Sequence, residues 1–182
     1  MGWNTMSDLV GLHPPSGDPM ELRAAYSCVP SGVVAVCGLM RGEPVGLVAG
    51  SFTSVSLDPP LVSVCIQIGS QTWPRLAGLP RLGLSVLAED QRDTCRTLAR
   101  KVGDRFAGVG WEAAVGGAVF VQGATAWLEC AVHSQLPAGD HSIVLLEILR
   151  LRAEPNVVPL VFHASKFPRL TPPGESRAER SR

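Results

Sequence analysis

The stretch Gly46-Leu-Val-Ala-Gly-Ser-Phe-Thr-Ser-Val-Ser-Leu-Asp-Pro-Pro60 constrains this chain more than any other. It carries no charge between Gly46 and Leu57, yet it is dense in glycine and small hydroxyl residues. A half-buried strand alternates apolar and polar residues, and Gly50 and Ser51 interrupt that alternation. A glycine inside a strand marks a bulge, or a place where something flat comes close to the backbone. Asp58-Pro-Pro60 ends the strand, because proline offers the ladder no donor and biases its predecessor to an extended shape. A new apolar run, Leu61-Val-Ser-Val-Cys-Ile66, follows at once. These residues read as two strands joined by a rigid Pro-Pro corner, beside a surface of small side chains.

The neighbouring segments continue in the same vein. Asp18-Pro-Met-Glu21 is a helix start, with Asp18 as N-cap, Pro19 at N1 and Glu21 reaching back to the cap. That helix is expected to end near Cys28, before Pro30. Gly32–Gly38 reads as a strand, with a hairpin turn at Arg41–Pro44. Thr72 is expected to cap a short helix over Trp73–Gly78, and Leu82–Leu87 is the next strand. Glu89–Lys101 reads as a helix with Gln91, Cys95 and Leu98 on one face and Arg92, Arg96 and Arg100 towards solvent. Ala118–Val121, Ala126–Gln135 and His141–Arg152 read as strands, the last two a hairpin through Pro137–Asp140. Leu160–Phe162 is a short final strand. Residues 1–17 form a loose arm, 18–170 one folded domain and 171–182 a polar tail. Many short antiparallel strands with few helices give a mainly β fold, a barrel or a sandwich.

Composition narrows the function classes. At 182 residues the chain is one domain with a real core. Sixteen basic residues balance sixteen acidic ones, which leaves no basic excess for nucleic acid. A chain 46% hydrophobic and 18% charged fits a soluble protein with a buried oligomer interface. The five cysteines are odd in number and form no C-x-x-C, as for reduced thiols in a cytoplasmic protein. Met1–Asp8 lacks the basic and apolar regions of a signal peptide. Uncharged runs such as Pro59–Pro74 are too short and too broken to span a membrane. The four histidines and five cysteines show no metal-ligand spacing, so no metal is expected. There is no nucleophile elbow, Walker loop or G-x-G-x-x-G fingerprint.

Ser51–Pro60 resembles the signature of the flavin reductase-like family. Pro44-Val-Gly46, Ser70-Gln-Thr72, Gly103-Asp-Arg-Phe-Ala-Gly108, Gly139-Asp-His141 and Leu160-Val-Phe-His163 match it in the same order. The resemblance runs from about Leu22 to Leu170. It implies an FMN-binding split β-barrel, mainly β with a few short helices, assembled as a homodimer. It also implies an NAD(P)H:flavin oxidoreductase, with FMN or FAD as the flavin and NADH or NADPH as co-substrate. Reduced flavin would pass to a separate flavin-dependent monooxygenase. Two rivals stand beside this reading: a non-catalytic flavin-binding protein of the same fold, and a dimeric barrel for a different apolar ligand.

A flavin needs an apolar slot, polar groups at its pyrimidine edge and something to hold its phosphate. Val48, Ala49, Gly50 and Ser51 can meet the ring edge through their backbone, with Cys65, Ile66 and Gln67 on the following strand. Ser70, Gln71 and Thr72, between a strand and a helix, are candidates for a phosphate cradle, and Lys101 is a candidate cation. The plain alternative is a bulged strand, an ordinary N-cap and a solvated helix end. Family members often carry a basic residue where Gln71 stands, a Thr at the place of Val48 and a Ser at that of Gly50. Flavin contact at the last two is therefore expected from backbone alone. Under the resemblance, His141 is the catalytic candidate, on the nicotinamide side with Pro44, Val45, Gly46, His163 and Lys166. Hydride transfer between stacked rings needs no protein nucleophile, only rings held about 3–3.5 Å apart.

Overall fold

A computed structural model describes residues 12–170. The arm expected at 1–17 falls partly, and the tail expected at 171–182 wholly, outside the described residues. In chain order the elements are α1 (Pro19–Tyr26), β1 (Ser31–Gly32), β2 (Val34–Met40), β3 (Glu43–Ala49), β4 (Thr53–Leu57) and β5 (Pro60–Gln67). There follow α2 (Trp73–Ala77), β6 (Leu82–Val86), α3 (Arg92–Leu98), β7 (Trp111–Ala113) and β8 (Val119–Val121). The chain then forms β9 (Ala126–Ala138), β10 (His141–Ala153) and β11 (Val161–Phe162).

Seven strands make one antiparallel sheet in the order β3-β2-β6-β9-β10-β5-β4. Its two edge strands, β3 and β4, are consecutive in the chain and are joined only by Gly50-Ser-Phe52. In a flat sheet six inter-strand gaps would hold the edges about 29 Å apart. The chain from Ala49 to Thr53 reaches at most about 14 Å. The sheet therefore has to curl until its edges meet, which makes it a split barrel. Ser51 secures the seam. Its Oγ accepts the Cys65 N–H at 2.8 Å and donates to the Cys65 carbonyl at 3.2 Å, tying the end of β3 to β5. The interruption at Gly50-Ser51 is thus the crossing between sheet edges rather than a bulge in one long strand. The turn at Asp58-Pro59 joins β4 to β5, and Pro60 already belongs to β5.

Alternate residues fill the barrel: Val34 and Val36, Val45 and Leu47, Val62 and Val64, Leu82 and Leu84, Val144 and Leu146. Helix α2 adds Trp73 and Leu76 to this core. The other face of β2 is buried too. Val33, Ala35 and Cys37 pack against Cys95 and Leu98 of α3, Val119 and Val121 of β8, and Leu160. Burial on both faces explains why Val33–Cys37 is a continuous apolar run. The same double packing requires Gly83, where a Cβ would lie 2.1 Å from the Val119 carbonyl oxygen.

Several local expectations shift. Asp18 caps α1 by accepting the Met20 N–H, but Glu21 reaches past it to the backbone N–H and hydroxyl of Ser16, and the helix stops at Tyr26. Helix α3 is shorter than 89–101, spanning Arg92–Leu98. Arg92 does not face solvent: its Nη2 donates to the Phe167 carbonyl at 3.1 Å and its guanidinium lies 5.8 Å from that ring's centroid. Strands β9 and β10 run on to Ala138 and from His141, so their turn is only Gly139-Asp140, with Gly139 at φ 65°. Among the described residues no helix is long and apolar enough to cross a membrane.

Gly83→Ala is expected to destabilise the fold by about 1–3 kcal/mol, because the added methyl meets a backbone carbonyl that cannot rotate aside. Gly78→Ala, where a Cβ meets nothing within 4 Å, serves as the control and should lose nothing. Equal denaturation midpoints for the two variants would contradict the crossing of β6 and β8.

Candidate functional site

A cleft of about 1000 Å³ opens beside the seam. It lies between the end of β3, the end of β5, the loop that follows β5 and the C-terminal end of α3. Val48, Ala49, Gly50 and Ser51 line it from one side, and Cys65, Ile66 and Gln67 from the other. Ser70, Gln71 and Thr72 line it from the loop, with Lys101 nearby. Leu47 adds to its apolar wall, with Leu98 buried behind it, and the exposed side chains of Tyr26 and Phe162 flank it.

His141 joins the same cleft because the β5–β10 ladder pairs it with Gln67. Its Nδ1 lies 2.7 Å from Asp140 Oδ1. That hydrogen bond, and then the imidazole's charge, hold the Asp140 carboxyl below its ordinary range. With Nδ1 engaged, Nε2 is the ring nitrogen left for a ligand.

The loop is wired differently from the sequence expectation. Ser70 Oγ, not Thr72, accepts the Trp73 N–H at the start of α2, at 3.1 Å. Thr72 Oγ1 instead accepts Arg105 Nη1 at 2.7 Å, and the same nitrogen donates to the Gly46 carbonyl at 3.1 Å. Each hydroxyl oxygen already accepts a bond, which leaves its own proton to be donated. Arg105 ties β3 to the loop and lines the cleft. It was missed although Gly103–Gly108 had been noticed, because that motif shows an arginine without showing what it faces. Tyr26 and Phe162 were missed as well, since each meets the cleft only through the fold.

Gly50 lines the cleft and also makes room for β1, since a Cβ there would lie 3.0 Å from Ser31 Oγ. Other expected residues separate from His141. Val45 belongs to the barrel core. Pro44, Val45 and Gly46 line a second pocket of about 320 Å³, which meets the first at Gln71, Thr72, Lys101 and Arg105. His163 and Lys166 pair with each other through backbone hydrogen bonds of 2.9 Å around Ala164 and Ser165, both at positive φ, and line neither pocket. All five cysteines are free; burial pushes the Cys37 and Cys130 thiols up to about 12, while Cys65 is exposed.

A split barrel whose seam opens into a cleft with an apolar wall, hydroxyl donors and adjacent cations defines a binder of flat, phosphate-bearing ligands. The chain matches the flavin reductase like domain over residues 26–171, and it belongs to that family. It is similar in structure to the NADH:FAD oxidoreductase SgcE6 of Streptomyces globisporus, solved in complex with NAD and FAD fragments. The TM-score is 0.84 at 35% identity, covering 90% of this chain and 99% of that one. It is 30% identical over 157 residues to the flavin-dependent monooxygenase reductase subunit HsaB of Mycobacterium tuberculosis, covering 85% of this chain and 84% of that protein. A probable flavin reductase of Rhizobium meliloti is 40% identical over 129 residues, 70% of this chain, and the match spans 42% of that protein's length.

Ser51→Ala removes both bonds across the seam and is expected to cost about 1–2 kcal/mol. Thermal or urea unfolding checks this; an unchanged midpoint would mean that the short crossing alone holds the edges together.

Proposed function

We propose that the protein reduces FAD or FMN with NAD(P)H and releases the reduced flavin to a separate flavin-dependent monooxygenase. It is an oxidoreductase of the flavin reductase class. The observation that carries the residue-level reading is the meeting, in one cleft, of the Val48–Ser51 strand end, the Ser70 and Thr72 hydroxyls, and the Asp140-oriented His141. These groups fit a flavin. Half-buried Val48, with the edges of Leu47 and Ile66, offers apolar surface to a ring, and Ser70, Thr72, Lys101 and Arg105 offer donors and positive charge to a phosphate.

A flavin held by these residues would supply the acceptor for a hydride from the nicotinamide. The chain's share of the work is binding and orientation. The backbone at Val48–Ser51 would meet the ring edge, and the Ser70 and Thr72 hydroxyls would meet the phosphate. His141 stands at the Gln67 end, its ring held by Asp140, where Nε2 can position the nicotinamide or hand a proton to reduced flavin. No protein nucleophile is needed, and none of these roles requires one.

The assembly is proposed to be a homodimer. Val55 and Leu57 of β4 and Ile143 of β10 are exposed apolar side chains, with Leu57 97% accessible. Ile143 pairs with Cys65, which lines the cleft, so Ile143 itself lies next to the site. Burying such a surface against a second copy would shield it from water. The free thiols fit a reducing, cytoplasmic setting.

Anaerobic mixing with NADH or NADPH should bleach FAD or FMN absorbance well above the protein-free rate; no bleaching with either would leave a non-catalytic flavin binder. His141→Ala should slow reduction about 100- to 10,000-fold while leaving flavin affinity nearly intact. A normal stopped-flow rate with a lowered melting temperature would make His141 a turn residue only. Light scattering at micromolar concentration should give twice the chain mass, and Leu57→Asp with Ile143→Asp should shift it towards one.

A further inference from the structure

We propose that the second pocket, beyond Arg105, receives the adenylate half of FAD, and that Arg75, Lys101 and Arg105 make the protein select FAD over FMN. The inference rests on the flavin reductase reading and deepens it.

Continuity comes first. The two pockets are not separate cavities, because Gln71, Thr72, Lys101 and Arg105 line both. The apolar strand ends and Ser70 line the first pocket alone, Thr72, Lys101 and Arg105 line both, and Arg75 and Val102 line the second alone. FAD has the same order of parts, a flat ring, a polyol chain, two phosphates and an adenosine. FMN has a single phosphate and nothing beyond it. Seated on the same hydroxyls, it would leave the second pocket unfilled.

Charge points the same way. Arg75, Lys101 and Arg105 converge on the second pocket, and Asp104 is the one acidic residue lining it. The Asp104 carboxylate already accepts the Phe106 N–H at 2.8 Å. The surplus is positive where a second phosphate would lie. Arg105 is also prepared in advance. Its Nη1 is pinned by the Gly46 carbonyl and Thr72 Oγ1, which fixes the guanidinium plane. A planar fork held in this way presents its remaining N–H groups to phosphate oxygens at little entropic cost. A pocket of about 320 Å³ lies within the range of small-ligand sites, about 300–1,000 Å³. Pro44 and Val102 give it apolar wall against which a base can rest.

Dissociation constants of the full chain for FAD and FMN, read from the quenching of flavin fluorescence, test this directly. FAD should bind at least about tenfold more tightly than FMN. Val102 is 84% exposed and outside both cores, so Val102→Asp leaves the fold alone and places a negative charge in the second pocket. That variant should weaken FAD about tenfold and FMN by clearly less. Arg105→Lys, which keeps the charge but loses the fork, should weaken FAD more than FMN. Equal wild-type affinities, or a Val102→Asp loss shared equally by both flavins, would overturn the adenylate pocket while the reductase reading stands. Failure to bind either flavin would overturn both.

Discussion

The fold depends on a reach problem. Gly50-Ser-Phe52 must carry the chain from one edge of a seven-stranded sheet to the other, and three residues cannot cross an open sheet. Closure is therefore imposed by connectivity, and the packing of apolar side chains inside the barrel is the reward for it. Ser51 turns this covalent constraint into a defined register by bonding both backbone groups of Cys65. A glycine and a serine suit the crossing, because the first admits the Ser31 hydroxyl beside it and the second is short enough to bond locally.

The cleft is a consequence of that seam. Where β3 ends and the chain leaves for β4, the ladder with β2 stops at Ala49. The Ser70–Thr72 loop and the end of α3 frame this opening rather than cover it. Arg105 then couples the parts. One nitrogen donates to both the Gly46 carbonyl of β3 and the Thr72 hydroxyl, which ties the cleft wall to the Ser70–Thr72 loop. At the other end, the two-residue turn at Gly139-Asp140 sets His141 beside Gln67 and gives it a carboxylate partner in the adjacent residue. The cleft-lining groups and His141 thus rest on strand ends and tight turns, which are rigid supports.

Much of this site was legible in the sequence because its residues are local to recognisable signals. Small residues after Gly46, hydroxyls before Trp73 and a Gly-Asp-His turn each mark a place where backbone or side chain is available. What they could not show is direction. Ser70 and Thr72 exchange the roles expected of them because Arg105, distant in the chain, claims the threonine. His163 and Lys166 fold back on each other, while their neighbour Phe162 faces the cleft. Arg92 looked like a solvent residue by helical spacing, but the chain near Phe167 returns to cover it.

The sequence by itself determined the mainly β character, the hairpins and the small-residue stretch around which the cleft forms, without separating β3 from β4 or showing β1 and β7. Those follow from local causes: side-chain alternation, proline's missing donor, and glycine's freedom in turns. Only the tertiary structure decided that Gly50–Phe52 joins opposite sheet edges, that Val33–Cys37 is buried on both faces, and that Arg105 sits between two connected pockets. These depend on which strands pair across long stretches of chain. Pairing is settled by the closure of the whole sheet and the burial of both cores together, a balance that no local pattern records.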